Sequence, residues 1–385
     1  MSNGGGGGGG GVEEEEQQEE LNGGLAPERV ALNLSLHIAA ADGNVDECEK
    51  LLKEEDESTL NWSALHFAAN GGHTKLVQSL LRRGALWNAV DSLGMTAAEI
   101  AWSYNDDKTY RAILEEGVRQ TIIQNLLGRK ETNKEKEEGT IQNYENGVST
   151  LLLKANDSSK EVSANNEEFL SSRLTYVRDE DGKQRCVDID GGLVMAAWET
   201  DIMSKTAEML CQDQEPGFSV LNIGFGLGII DEFFQAYKPG RHVIVDAHPD
   251  AVAYARQTGW EQKAGVELIC KKWEDVISEL GDFDVVYWDT YAQEYTELRQ
   301  FFEEIPNLLS GPHARFSFFH GLAGTNAFLY DVYTRVSEVD LREIGLITDW
   351  EEIRPEITEE TWRGIKRKYW SLDVHRIPLC HMDIF

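Results

Sequence analysis

The chain has 385 residues, with 36 Lys and Arg against 68 Asp and Glu, giving a formal net charge of −32 and room for two or more domains. That charge argues against a nucleic-acid groove or an anionic membrane surface and favours a basic partner; acidity that only keeps a protein soluble reads equally well. Five widely spaced cysteines (Cys48, Cys186, Cys211, Cys270, Cys380) form no C-x-x-C pair and point to free thiols and no zinc site. No apolar run approaches the roughly 18 residues that span a bilayer. The N-terminus looks like neither a signal nor a transit peptide, so the expectation is a monomeric protein of the cytoplasm and nucleus.

Residues 1–26 are glycines followed by glutamates, too polar to offset their ordering entropy, and are expected to be a disordered tail. From Leu32 to Gly117 an internal repeat runs. Ser35-Leu-His-Ile-Ala-Ala-Ala-Asp-Gly43 is echoed by Ser63-Ala-Leu-His-Phe-Ala-Ala-Asn-Gly-Gly-His73 and more faintly by Thr96-Ala-Ala-Glu-Ile-Ala101. Each first helix is followed by a second with apolar helical spacing: Cys48, Leu51, Leu52; Val77, Leu80, Leu81; Tyr110, Ile113, Leu114. The spacing of about 33 residues resembles the ankyrin repeat and predicts a small all-α domain over 27–128. His37 and His66 are read as caps of the repeat turns, not metal ligands. Residues 129–165 read as a polar linker with one apolar patch, Val148 to Leu153.

The remainder, 166–385, opens with an entry helix or turn (Phe169, Leu170, Leu174, Tyr176) and a hairpin around Asp179–Gly182. Strands are then predicted at Val220–Ile223, His242–Val245, Val266–Cys270, Val285–Trp288 and Arg315–Phe319, with helices between them. Two more strands near Asp349–Ile353 and Tyr369–Ile377 suggest a closing antiparallel hairpin. Alternation of this kind calls for a mostly parallel α/β sheet. The first strand runs into Gly224-Phe-Gly-Leu-Gly228 and a helix, a turn that lets a cofactor touch bare backbone and aims the helix N-terminus at it. The second ends in Asp246, able to accept both hydroxyls of a ribose. The glycine turn alone fits a nicotinamide or an S-adenosylmethionine enzyme; a seven-stranded sheet closed by a hairpin favours the latter.

Two further stretches narrow the reading. Val194-Met-Ala-Ala-Trp-Glu-Thr-Asp-Ile-Met203 is predicted as a helix, and Phe283-Asp-Val-Val-Tyr-Trp-Asp-Thr-Tyr291 as a strand ending in Asp289. With the glycine turn they resemble guanidinoacetate methyltransferase, whose W-E-T-x-x-M segment, G-F-G-x-x-I loop and D-T-Y strand end occur here in order. Preceding ankyrin repeats narrow the likeness to the ankyrin-containing protein arginine N5-methyltransferases, the type IV class. The resemblance implies a class I methyltransferase, Rossmann-like fold and S-adenosylmethionine as cofactor. It places at that cofactor Tyr176, Met195, Met203, Gly224, Phe225, Gly226, Leu227, Gly228, Ile229, Asp246, Ala247, His248, Trp273, Glu274 and Asp289. The guanidinoacetate enzymes carry Glu where this chain has Asp246, and either holds a diol.

A guanidinium has a pKa above about 12 and no free lone pair, so an enzyme that methylates it must bind the cation, polarise it and take a proton. Carboxylates suit this through charge-assisted hydrogen bonds. Glu199 is the candidate to grip the guanidinium, and Asp289 to orient the attacking nitrogen and accept its proton. Alternatively, Glu199 starts a helix and Asp289 caps one. Trp198 and Trp288 read as packing residues, Trp273 as an adenine neighbour, and the Phe318-Phe-His-Gly-Leu-Ala-Gly324 loop as the substrate entrance, with His320 either near the guanidinium or a core or surface histidine outside the catalytic set. The two-glutamate loop and Thr-His-Trp element of enzymes that modify terminal guanidino nitrogens are not found. The resemblance therefore implies the internal nitrogen of arginine in a basic, ribosomal protein docked by the repeats. A small guanidino metabolite as substrate, or a non-catalytic ankyrin adaptor, are the competing readings.

Overall fold

The computed structural model describes residues 35–36, 38–51, 62–131, 162–178 and 182–383. The expected tail, most of the expected linker, His37 and the hairpin tip at 179–181 lie outside the described residues. The chain divides into two compact units, Met1–Gly117 and Val118–Phe385.

In the first unit, helix α1 (Val45–Leu51) is followed by the pairs α2 (Ala64–Asn70) with α3 (Thr74–Arg82) and α4 (Ala97–Ser103) with the start of α5 (Asp107–Glu131), whose residues from Val118 on are counted in the second unit. Small residues explain the close stacking: Ala68, Ala69, Ala97, Ala98 and Ala101 are all buried. His66 holds the repeats together as a cap. Its Nδ1 accepts from the Ser63 backbone N–H at 3.2 Å, and its Nε2 lies 3.2 Å from the Met95 carbonyl one repeat on. Glu99 takes the same place in the next repeat, accepting from the Thr96 N–H at 2.7 Å. In these two repeats the polar side chain three residues after the N-cap thus satisfies an otherwise orphaned N-terminal donor.

From Asn166 the second unit carries helix α6 (Asn166–Ser171) and an antiparallel three-stranded sheet, β1 (Thr175–Arg178), β2 (Gln184–Val187) and β3 (Leu193–Ala196). β3 corrects the sequence expectation of one helix over Val194–Met203. Residues 193–196 pair with β2, a short 3₁₀ turn covers Ala197–Glu199, and only then does α7 (Thr200–Cys211) begin.

The main sheet comprises β4 (Ser219–Ile223), β5 (Arg241–Asp246), β6 (Val266–Cys270), β7 (Val285–Trp288), β8 (Arg315–Phe318), β9 (Leu346–Ile353) and β10 (His375–Met382), in the order β6-β5-β4-β7-β8-β10-β9. β4 to β8 are parallel; β10 runs antiparallel to both β8 and β9. Helices α8 (Ile229–Ala236), α9 (Pro249–Gln257), α10 (Tyr295–Leu308) and α11 (Ala327–Glu343) make the crossovers. No helix joins β6 to β7: two 3₁₀ turns, Trp273–Asp275 and Ile277–Glu279, bury Trp273, Val276 and Ile277 in the space a longer crossover helix would need. The last two strands are no tight hairpin, for residues 354–374 loop out between them, and 369–374, expected to open the last strand, precede it. On one face of the sheet Met203, Ala207 and Leu210 of α7 meet Ile230 and Phe234 of α8 over Val220, Val285 and Tyr287. Burying such a face supplies the main stabilisation and fixes where the strand ends lie. No described helix is long and apolar enough to cross a membrane.

Candidate active site

Beyond the carboxyl ends of β4, β5 and β7 lies a cavity of about 280 Å³, where an open α/β sheet places its ligand. The turn after β4 is built by close approach. Gly224 has φ +97°, and a Cβ there would stand 1.8 Å from the Asp289 carbonyl oxygen. The Asp289 N–H donates to the Ile223 carbonyl at 2.8 Å, so the ends of β4 and β7 are tied together. Below the turn, Asn222 Nδ2 donates to the Gly224 carbonyl and to Asp231 Oδ1, both at 2.8 Å, and His242 Nε2 lies 3.0 Å from the same carboxylate oxygen. This buried network fixes the glycine turn. Its members read in sequence only as core-strand and helix residues.

Asp246 ends β5 with both oxygens engaged: Oδ2 accepts from the Phe225 N–H at 2.8 Å and Oδ1 from the His248 N–H at 2.7 Å. Each oxygen keeps a further lone pair for a ligand. Burial raises its pKa, against these backbone donors. Met195 of β3 closes the other side, its sulfur accepting from the Leu227 N–H at 3.2 Å; a Cβ at Gly226 would stand 2.7 Å from that sulfur.

Glu199 is 3 % exposed and lines the cavity together with Asp289. The 3₁₀ turn swings its side chain inward, where Oε1 accepts from the Ala196 N–H at 3.4 Å and from the Tyr369 hydroxyl. It makes no side-chain cap bond to α7, and Asp289 caps nothing, since α10 starts at Tyr295 behind Glu294. Oδ2 of Asp289 is buried without a protein partner. Burial pushes Glu199 up to about 8, with the neighbouring Asp289 charge adding and Tyr369 opposing. Burial, then the charge of Asp231, pushes Asp289 up to about 7. Two carboxylates facing one cavity in this way form a site for a cation. Among the described residues, the Lys and Arg side chains lining the cavity are Lys271 and Lys272, which follow β6, from which β7 is separated by β5 and β4; Lys272 is paired with Glu167.

Of the residues expected at a cofactor, Met195, Gly224, Gly226, Asp246, Ala247, His248, Trp273, Glu274 and Asp289 line this cavity. The other six stand behind it. Met203 is fully buried, its sulfur accepting from the Tyr287 hydroxyl at 3.4 Å. Tyr176 stacks on Tyr254 at 3.8 Å, and Phe225 packs edge-on against Trp260 at 5.5 Å. Leu227 and Ile229 pack on the core, and Gly228 (φ +73°) starts α8 over the Phe225 ring. These residues support the turn from the core side.

Of the two readings of His320, the structure selects the core one. The side chain is fully buried, its Nε2 lies 2.9 Å from Thr334 Oγ1, and its ring stacks on Tyr330 at 4.4 Å, away from the cavity. Gly321 of the same loop does line the cavity, whereas Gly324 packs on Trp370. Trp198 packs as expected, donating to the Tyr369 hydroxyl at 3.1 Å. Trp288 and Trp273 both line the cavity with their indole N–H groups buried and unpartnered, and Trp273 sits edge-on to Phe301 at 5.2 Å. Tyr369 was missed in the sequence, where it passes for the start of the last strand.

This strand order, with its glycine turn and acidic strand ends, is that of a class I methyltransferase. Comparison with known proteins goes further. The family model for guanidinoacetate N-methyltransferase matches residues 172–309, and that for ankyrin repeats matches three copies over 36–135. Protein arginine N-methyltransferase 2 of Cryptococcus neoformans is 32 % identical over 355 residues, covering 85 % of this chain and 88 % of that one. The proteins of the same name from Emericella nidulans (35 % over 337 residues, covering 80 % and 78 %) and Saccharomyces cerevisiae (32 % over 321, covering 79 % and 76 %) are also similar. The chain belongs to the protein arginine N-methyltransferase 2 family, and it is an arginine methyltransferase with N-terminal ankyrin repeats.

Proposed function

We propose that the enzyme methylates the internal (δ, N5) guanidino nitrogen of arginine in a basic, ribosomal protein, with S-adenosylmethionine as donor. The observation that carries this reading is the meeting of Glu199 and Asp289 in one cavity beside the glycine turn. The residues fit the cofactor. Asp246 has lone pairs left for a ribose diol, Gly224 and Gly226 leave bare backbone where a Cβ would clash, and Met195 and Trp273 supply apolar walls. S-adenosylmethionine supplies, when bound, a methyl group on a sulfonium, open to in-line displacement.

The chain's own residues do the rest. Oε1 of Glu199 is taken by Tyr369 and Ala196, so Oε2 is offered to the guanidinium, and the unpartnered Oδ2 of Asp289 meets it from the other side. A cation held between them brings both carboxylates down into their charged forms. Asp289 then orients the attacking nitrogen and takes its proton as the N–C bond forms. Holding both partners in place supplies much of the rate.

Protein arginine is favoured over a metabolite such as guanidinoacetate, because among the described residues no Lys or Arg beside Glu199 and Asp289 lines the cavity to pair with a small substrate's carboxylate. The acidic chain suits a basic partner, with the repeats as its docking module, and gives no reason for direct contact with nucleic acid or membrane. Free thiols at all five cysteines fit the cytoplasm and nucleus; we take the working unit to be a monomer. The test is transfer of labelled methyl from S-adenosylmethionine to total ribosomal protein against transfer to guanidinoacetate. Label in protein alone supports the reading, and label in guanidinoacetate alone overturns it.

A further inference from the structure

Tyr369 belongs to the irregular segment between β9 and β10, 170 residues from Glu199 in the chain. Its ring stands edge-on to Trp362 at 5.3 Å, and its hydroxyl accepts from the Trp198 indole N–H at 3.1 Å. With that lone pair occupied, the hydroxyl hydrogen is directed to Oε1 of Glu199. Trp198 and Glu199 are adjacent in sequence, so one tyrosine oxygen clamps the last two residues of the 3₁₀ turn that delivers the carboxylate. The titratable groups facing Glu199 are Asp289 and Tyr287, on β7 and its end, and Tyr369 itself. Tyr369 is the one of these that donates a hydrogen bond to it.

We propose that Tyr369 is a positioning residue for methyl transfer: its hydroxyl fixes Oε1 of Glu199, leaving Oε2 for the substrate cation. The proposal rests on Glu199 gripping the guanidinium. Its chemistry is simple. A buried carboxylate beside a second carboxylate tends to hold its proton, and a protonated glutamic acid loses its charge-assisted grip on the cation. A donor aimed at one oxygen opposes this, as burial and Asp289 push Glu199 up and Tyr369 pulls it down.

The test is the pH profile of kcat/KM for the full-length enzyme, with saturating S-adenosylmethionine and total ribosomal protein as acceptor. Tyr369→Phe keeps the ring and removes the donor, so the acid limb should move to higher pH by roughly one unit. Replacing Tyr369 by 3,5-difluorotyrosine strengthens the donor and should move the limb to lower pH. Opposite shifts support the proposal. A uniform drop in rate with the limb unmoved in both variants overturns it, since a merely structural tyrosine would behave so. If the Phe variant does not fold, the direction of shift in the near-isosteric difluorotyrosine protein decides. Glu199→Gln in the same assay separates the two claims. If it retains the wild-type rate, the gripping role itself falls; if it is inactive while the Tyr369 variants leave the limb in place, the Tyr369 role alone falls.

Discussion

The carbonyl oxygen of Asp289 fills the space a Cβ on Gly224 would need, 1.8 Å from it. The cofactor turn and the strand end that carries a catalytic candidate are therefore one construction. Gly224→Ala adds backbone overlap to an unfavourable positive φ, and should destabilise the catalytic unit by about 2–4 kcal/mol. Because the clash is with Asp289 backbone, binding of S-adenosylmethionine and turnover should both be lost, as calorimetry and methyl transfer would report. A variant with normal affinity would show that this contact is dispensable.

The two cavity carboxylates should lower stability while serving the proposed catalysis. Glu199 is raised from an ordinary value near 4.5 to about 8, so the folded chain holds a proton that the unfolded chain releases. Its contribution is fully present below about pH 4.5 and is lost as pH rises toward 8. Glu199→Gln should therefore melt at least about 2 °C higher than wild type at pH 8.5, while kcat/KM falls on the order of 1,000-fold. Parallel melting curves for the two proteins across pH 5–9 would contradict this.

His320 and His375 predict the opposite slope at lower pH. Both are buried, both have an Nδ1 without a protein partner, and burial lowers His375 to about 3 and His320 well below its usual range. A histidine held neutral in the fold takes up a proton on unfolding, so stability is lost as pH falls below about 6.5. His375→Phe, set between Phe319 and Trp370 at 4.9 Å from each, should flatten the fall in Tm between pH 7 and 5. An unchanged slope would mean that other groups dominate acid unfolding.

In the repeat unit, Thr96 Oγ1 accepts from the Glu99 N–H at 3.3 Å while Glu99 Oε2 accepts from the Thr96 N–H at 2.7 Å. Thr96→Ala should cost about 1 kcal/mol in urea denaturation, and Thr96→Ser should recover most of it. Equal loss in both variants would point to the lost methyl group.

Much of this was legible in the chain because it is local. An apolar run that ends in glycine or aspartate announces a strand end, which is how β4, β5 and β7 and the residues after them could be placed. The repeat period did the same for α2 to α5. What stayed hidden depends on partners far away in sequence. Val194 to Met203 has apolar spacing that suits a helix, and only the pairing of Cys186 with Met195 turns its first part into β3. Tyr369 has no periodic neighbours to announce it and gains its role from Glu199, 170 residues earlier. His320 looked like a site residue beside glycines, but Thr334 and Tyr330 hold it in the core.

The measurement that bears most directly on the central claim is the identity of the methylated arginine. Ribosomal protein methylated by the enzyme with labelled S-adenosylmethionine would be hydrolysed to amino acids and the methylarginine isomer identified. The arrangement of Glu199 and Asp289 argued above predicts label on the internal guanidino nitrogen, absent when Glu199→Gln replaces the wild type. Label on a terminal nitrogen would contradict it.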